Sequence, residues 1–245
     1  NVAMFVYFDV DRTLLDFESA ADVGIKTVFD LYRSEIIMDY DEFSAAWKKW
    51  AQVYFDEYSD GKLTFDEQRK KRVWKSFELN GVVLSKEEND KRFDIYWAAY
   101  EKEIKLFPDV IPTLDALKNA GIPMGVITNG DPENQKWKME LKNLTPYFTV
   151  QIISGEVGIS KPDLRIFEIA QNRACELLVG LGKLEDGDSL KPSEILYIGD
   201  SIKHDIEPSV KMGWKSVFIN HTGKKYDVPA GAVEVDDMKK ILSMI

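Results

Sequence analysis

Cysteine is almost missing from this sequence. Cys175 stands alone, so no internal disulfide can form and a reducing compartment is expected. It falls in an apolar helical pattern and is expected to be buried. Long apolar runs are missing too. None approaches the roughly 18 residues that a membrane-spanning helix needs, and no stretch reads as a secretory signal. A cytoplasmic protein without a membrane partner is expected. Basic charge is in deficit: 32 Lys and Arg against 42 Asp and Glu leave a net charge of −10. Such a chain gains nothing from a phosphate backbone, which argues against binding a nucleic acid polymer but leaves room for a local cationic pocket around a small anion. Histidine is scarce, with only His204 and His221. His204 is expected to start a surface helix and His221 to follow the last core strand at the rim of a site. No second histidine is paired with either, and neither reads as a ligand.

What is present is apolar residue in quantity, 44% of 245, enough for one large domain or a domain with an insert. After a first strand over Met4–Phe8, helical periodicity holds for about ninety residues. Phe43, Ala46, Trp47, Trp50, Ala51, Tyr54 and Phe55 share one face. Thr64–Glu67 and Ser85–Glu88 each read as a capping box, and Val73, Trp74 and Phe77 are expected on one face of the helix between them. From Pro108 the pattern alternates, with strands at Met124–Ile127, Val150–Ile153, Ile195–Ile198 and Ser216–Ile219 and helices between them, including one over Ile202–Met212. Gly180–Pro192 reads as a surface loop. The fold expected is α/β: a Rossmann-like parallel sheet built from residues 1–15 and 106–245, with an inserted α-helical bundle over residues 16–105. The insert joins through two segments, near 15–18 and 106–108, which permits hinge closure. Its aromatic stripes read first as bundle core.

Four short motifs each follow an expected strand: Asp9-Val10-Asp11-Arg12-Thr13, Thr128-Asn129-Gly130, Lys161-Pro162, and Gly199-Asp200-Ser201 with Asp205. Ligands of an open parallel sheet bind at that carboxyl edge. Each motif alone is commonplace; all four in order at strand ends point to phosphoryl transfer. Phosphate monoesters are so inert in water that a catalyst must supply about 20 kcal/mol or more. A carboxylate nucleophile splits the reaction in two. Positive charge must stand near the anionic phosphate, and a second carboxyl must reach the leaving oxygen. Asp9 and Asp11, two apart on a strand, can flank one small volume. Thr128, Asn129 and the backbone N–H groups beside them can hold phosphate oxygens. Lys161 can neutralise nucleophile and phosphate, with Pro162 keeping it out of helical geometry. Asp200 can share a metal with Asp9, and Asp205 can orient Lys161 or a metal-bound water. Ser201, at a helix start, supports the last motif. An oxygen-only ligand set suits Mg2+.

The stretches FDVDRTLLDF (8–17), GVITNG (125–130), ISGEVGISKP (153–162) and LYIGDSIKHD (196–205) resemble the haloacid dehalogenase superfamily, phosphatases with a helical cap after the first motif. Similarity is greatest to the bacterial pyrimidine 5′-nucleotidase branch, and Trp214 after the last motif adds to it. The resemblance implies Asp9 as nucleophile, Asp11 as general acid and base, and Asp200 as magnesium ligand. The backbone carbonyl of Asp11 completes the metal set, and Thr128 and Lys161 become partners of phosphate and nucleophile. Glycine is commonest after the second aspartate in that superfamily; here Arg12 stands there and is expected to be a salt-bridged surface residue. The function expected is magnesium-dependent hydrolysis of a small phosphorylated metabolite through an aspartyl phosphate, with a nucleoside 5′-monophosphate favoured. The alternatives are a sugar-phosphate or phosphoglycolate phosphatase and a β-phosphoglucomutase-like enzyme. A 2-haloacid dehalogenase would lack Asp11, and a silent interaction module has no need of Asp9, Asp11, Lys161 and Asp200 together. Cap residues weighed as specificity determinants are Trp47, Trp50, Tyr54, Lys62, Arg69 and Arg72. The oligomeric state, monomer or dimer, is open.

Overall fold

The computed structural model describes residues 2–245. Six strands, β1 (Phe5–Phe8), β2 (Met124–Thr128), β3 (Phe148–Ile153), β4 (Ile195–Gly199), β5 (Lys215–Ile219) and β6 (Ala232–Val235), form one parallel sheet in the order β3-β2-β1-β4-β5-β6. Every residue of β1 is fully buried, as a strand covered on both faces requires. Strand order reverses between β1 and β4, and both neighbours of β1 leave their ends at the same edge. Asp9 follows the end of β1 and Asp200 the end of β4, so the first and last motifs meet at the switch point of the sheet.

The chain divides into two compact units, residues 1–15 with 106–245 and residues 16–105. The inserted unit holds α1 (Phe17–Leu31), α2 (Tyr40–Ser59), α3 (Phe65–Glu78) and α4 (Lys86–Glu103). In it α1 packs on α4 and α2 on α3. Its core is aromatic: Phe43, Trp47, Phe77, Tyr96 and Tyr100 are buried. Thr64 and Ser85 accept from the N–H groups of Glu67 and Glu88, the first half of each expected capping box, while both halves of a box form at Asp39 and Glu42, a start the sequence reading passed over. Trp74 departs from expectation. Val73 and Phe77, one turn apart, face inward, while Trp74 points out and is 37% exposed.

In the α/β unit, α5 (Val110–Asn119), α6 (Pro132–Leu141), the single turn α7 (Ser154–Val157), α8 (Leu164–Gly180) and α9 (Glu207–Lys211) link the strands. One face of the sheet packs Phe5, Tyr7, Ile195 and Tyr197 against Phe167 and Ala170 of α8 and against Trp214. The Tyr7 hydroxyl donates to the Ala170 carbonyl at 2.6 Å. Leu190 of the long loop is also buried in this core. Cys175 is only half-buried, against expectation, with its sulfur directed at the Asp188 carbonyl. His221 lies flat on Phe107, ring centroids 3.6 Å apart. Two further differences concern elements. β6 was not foreseen, because an edge strand of four residues with only Val235 buried is too short an apolar run to stand out. The helix expected over 202–212 begins as a π turn, Ile202–Ile206, before α9. Pro208 has no N–H for the His204 carbonyl, so the α register cannot run through this point, and Ile206 and Glu207 bond five residues back, to Ser201 and Ile202. Among the described residues no helix is long and apolar enough to cross a membrane.

Candidate active site

The site is assembled at the carboxyl edge of the α/β unit. Lys161 is its electrostatic centre. It is 4% exposed, and its Nζ lies 3.0 Å from Asp9 Oδ1 and 2.6 Å from Asp205 Oδ1. It also donates to the Ile127 carbonyl at 2.9 Å and lies 3.0 Å from the Tyr197 hydroxyl. Burial works against the ammonium, but Asp205 and Asp9 more than offset it and carry its pKa above the ordinary lysine value. Asp205 is held in turn by the Tyr197 hydroxyl at 2.7 Å and the Ser201 N–H at 3.1 Å. Both its oxygens therefore accept from the protein, and its geometry is that of a residue fixing Lys161. The π turn brings Asp205 back to the sheet edge, and Gly199 makes room for it: a Cβ there would lie 2.5 Å from the Asp205 carboxyl.

The second oxygen of Asp9 faces away from Lys161. Thr13, fully buried, lies with its Oγ1 3.2 Å from both Asp9 Oδ2 and Asp200 Oδ1. Asp9, Asp200 and Asp205 each place an oxygen within 4.8 Å of the others. Burial raises the pKa of Asp9, opposed by Lys161 and reinforced by Asp205. Burial and then Asp9 and Asp205 push Asp200 well above the usual carboxylate range, opposed by Arg12. Three crowded carboxylates against the cations of Lys161 and Arg12 still leave uncompensated negative charge, and their donors are oxygen only. That set fits a hard divalent cation. Arg12 is half-buried and sits at φ 66°, the left-handed region that glycine adopts without cost.

The remaining foreseen residues divide their work differently from expectation. The Asn129 side chain grips the Lys161 backbone at both ends, donating to its carbonyl at 2.9 Å and accepting from its N–H at 2.8 Å. The Gly130 N–H goes to Ser154 Oγ at 2.9 Å. Asn129 thus positions the Lys161 loop, whose Lys161-Pro162 bond is cis, and the Gly130 N–H is already used. Ser201 caps the π turn, accepting from the His204 N–H. The carboxylate of Asp11 faces α6, where Lys138 Nζ lies 3.0 Å from Oδ1 and Gln135 Nε2 3.2 Å from Oδ2. The same Gln135 nitrogen donates to Thr128 Oγ1 at 2.6 Å.

Thr13, Tyr197, Gln135 and Lys138 are therefore site residues that sequence reasoning missed. Tyr197 reads as core because it lies inside an apolar strand. Gln135 and Lys138 carry one usable signal, a spacing of three on the helix after a strand-end motif.

The chain is similar to known proteins. The sequence model of the family described as "Hydrolase: haloacid dehalogenase-like hydrolase" matches residues 5–213. Pyrimidine 5′-nucleotidase YjjG of Escherichia coli (strain K12) is 27% identical over 219 residues, 88% of this chain and 85% of its own. (S)-2-haloacid dehalogenase 1 of Pseudomonas sp. (strain CBS-3) is 25% identical over 223 residues, 89% and 84%. The crystal structure of the HAD-hydrolase YfnB from Bacillus subtilis bound to magnesium has the same fold, with a TM-score of 0.74 at 20% identity, covering 100% of this chain and 99% of that one.

Proposed function

We propose, on the premise that this chain belongs to the haloacid dehalogenase-like hydrolases, that it hydrolyses small phosphate monoesters with Mg2+ through an aspartyl phosphate on Asp9. The observation that carries the proposal is the setting of Asp9. One oxygen is on the buried Lys161 and the other is beside Asp200 across the Thr13 hydroxyl. A carboxylate so placed has a cation at its back and metal-type donors at its side, as attack on an anionic phosphorus demands.

Asp9 and Asp200, with the backbone carbonyl of Asp11 that the family implies, would hold the magnesium ion, which when bound supplies charge neutralisation at the phosphoryl oxygens. Asp9 attacks phosphorus as the bond to the leaving oxygen breaks, and Asp11 gives that oxygen its proton. Water then attacks the phosphoryl group on Asp9, passing a proton to Asp11, so that inorganic phosphate leaves and both aspartates are restored. Thr128 offers its hydroxyl to a phosphoryl oxygen. Lys161 stays protonated throughout, fixed by Asp205, Tyr197 and the loop that Asn129 grips.

The likeness to a 2-haloacid dehalogenase does not favour that reaction here. Halide leaves carbon without a proton, and the donors arrayed on Asp11 would be idle. Nucleoside 5′-monophosphates are the substrates favoured, because a pyrimidine 5′-nucleotidase is similar over most of both chains. The test is phosphate release from a panel of nucleoside, sugar and glycolate phosphates, with and without Mg2+. Mg2+-dependent release is expected, fastest from a pyrimidine nucleotide, and lost in a folded Asp9→Asn variant. Activity surviving exhaustive chelation defeats the mechanism. Hexose phosphates or phosphoglycolate leading every nucleotide by about tenfold, a difference of about 1.4 kcal/mol in the barrier, defeats the substrate assignment alone.

A further inference from the structure

We propose that Gln135 and Lys138 are positioning residues that together set the plane of the Asp11 carboxyl group and turn the Thr128 hydroxyl into a donor towards the phosphoryl group. The two stand one turn apart on α6 and so share a face. Both are buried, Gln135 at 1% and Lys138 at 4% exposure. A buried ammonium is costly without a polar partner, and Asp11 Oδ1 supplies one at 3.0 Å. Gln135 takes the other oxygen of the same carboxyl at 3.2 Å. One donor on each oxygen fixes the rotation of the group, which a single contact would not.

Gln135 has two amide hydrogens, and the second goes to Thr128 Oγ1 at 2.6 Å. The threonine oxygen is thereby an acceptor, and its own hydrogen must point elsewhere. The Asn129 carbonyl, at 3.5 Å, is a distant partner for it. The hydroxyl is left oriented to donate, the polarity an anionic phosphoryl oxygen requires. Lys138 also stands where charge appears: as the proton of Asp11 passes to the leaving oxygen, negative charge grows 3.0 Å from the ammonium. An attraction that strengthens along the reaction lowers the barrier more than it tightens binding.

The inference rests on the reading of Asp11 as the acid, and the experiment separates the two. The probes are the best alkyl monoester of the panel and 4-nitrophenyl phosphate, whose leaving group needs little protonation. Lys138→Met is expected to lower kcat on the alkyl ester by about a hundredfold, and on the aryl ester by about threefold or less, with KM little changed. Lys138→Arg should restore most of the loss. Gln135→Leu should depress both substrates and weaken product inhibition by inorganic phosphate about tenfold, because Thr128 loses its orientation. Equal losses on both esters for Lys138→Met, or no loss, overturn the proposal and leave the phosphatase reading standing. A wild-type protein inert towards every monoester in Mg2+ overturns both. Should Lys138→Met fail to fold, Asp11→Asn is compared with Asp11→Asn/Lys138→Met, which removes both charges of the pair. Equal rates are expected, and a further loss of about tenfold means that Lys138 acts by another route.

Discussion

Lys161 shows how much one residue can be asked to do. Its ammonium has four polar neighbours, Asp9, Asp205, Tyr197 and the Ile127 carbonyl, for three hydrogens, so it is fixed in place and cannot swing out with a ligand. Lys161→Met should therefore do more than slow catalysis. It leaves Asp9 and Asp205 buried without their cation, and a broken buried pair costs about 3–5 kcal/mol. Chemical denaturation should register that loss, and a variant within about 1 kcal/mol of the parent, the scale of an exposed pair, would mean that the carboxylates find another partner. Arg12 illustrates the opposite economy. Its left-handed backbone costs a residue with a Cβ about 1–2 kcal/mol, which is a reason for glycine to be the common occupant, yet its charge counters the crowding on Asp200.

At the scale of elements, the turn after β4 is where backbone geometry and chemistry are most tightly linked. The π register rotates Asp205 onto Lys161, and Gly199 lies under its carboxyl with no space for a methyl group. Gly199→Ala should cost about 1–3 kcal/mol as an overpacked contact and should also lower kcat, because the relief available is to displace Asp205. Gly125→Ala is the control. Its Cβ would meet the Tyr7 ring and the Val150 carbonyl at 2.6 Å, inside the sheet, so stability should fall while kcat per folded molecule holds. Paired melting curves and active-site-normalised rates distinguish the two. Unchanged kcat in a destabilised Gly199→Ala protein would show that Asp205 need not touch Lys161.

For the whole molecule, the switch point of the sheet is where Asp9, Asp200 and Asp205 crowd together. A cation bound there stabilises the folded chain by mass action. Mg2+ at about a hundred times its Kd contributes about 2.7 kcal/mol, and so a rise of about 5–11 °C in Tm for a chain of this size. Asp200→Asn should abolish that rise, and an equal Mg2+ shift in the variant would place the ion elsewhere. The sequence determined five of the six strands, their order of appearance, the helical insert and the strand-end motifs, because short apolar runs, caps and residues adjacent in the chain are local properties. Asp9, Asp11, Thr128, Lys161, Asp200 and Asp205 were legible for that reason. Which polar partner each one meets was not. Gln135 and Lys138 reach Asp11 across more than 120 residues of chain, Tyr197 reaches Lys161 from within an apolar strand, and Asn129 turns to a backbone rather than to the open site. Those pairings follow from the face on which α6 packs and from the strand that lies beside β1. They are long-range choices of packing, which neither spacing nor composition encodes, and only the tertiary structure decided them.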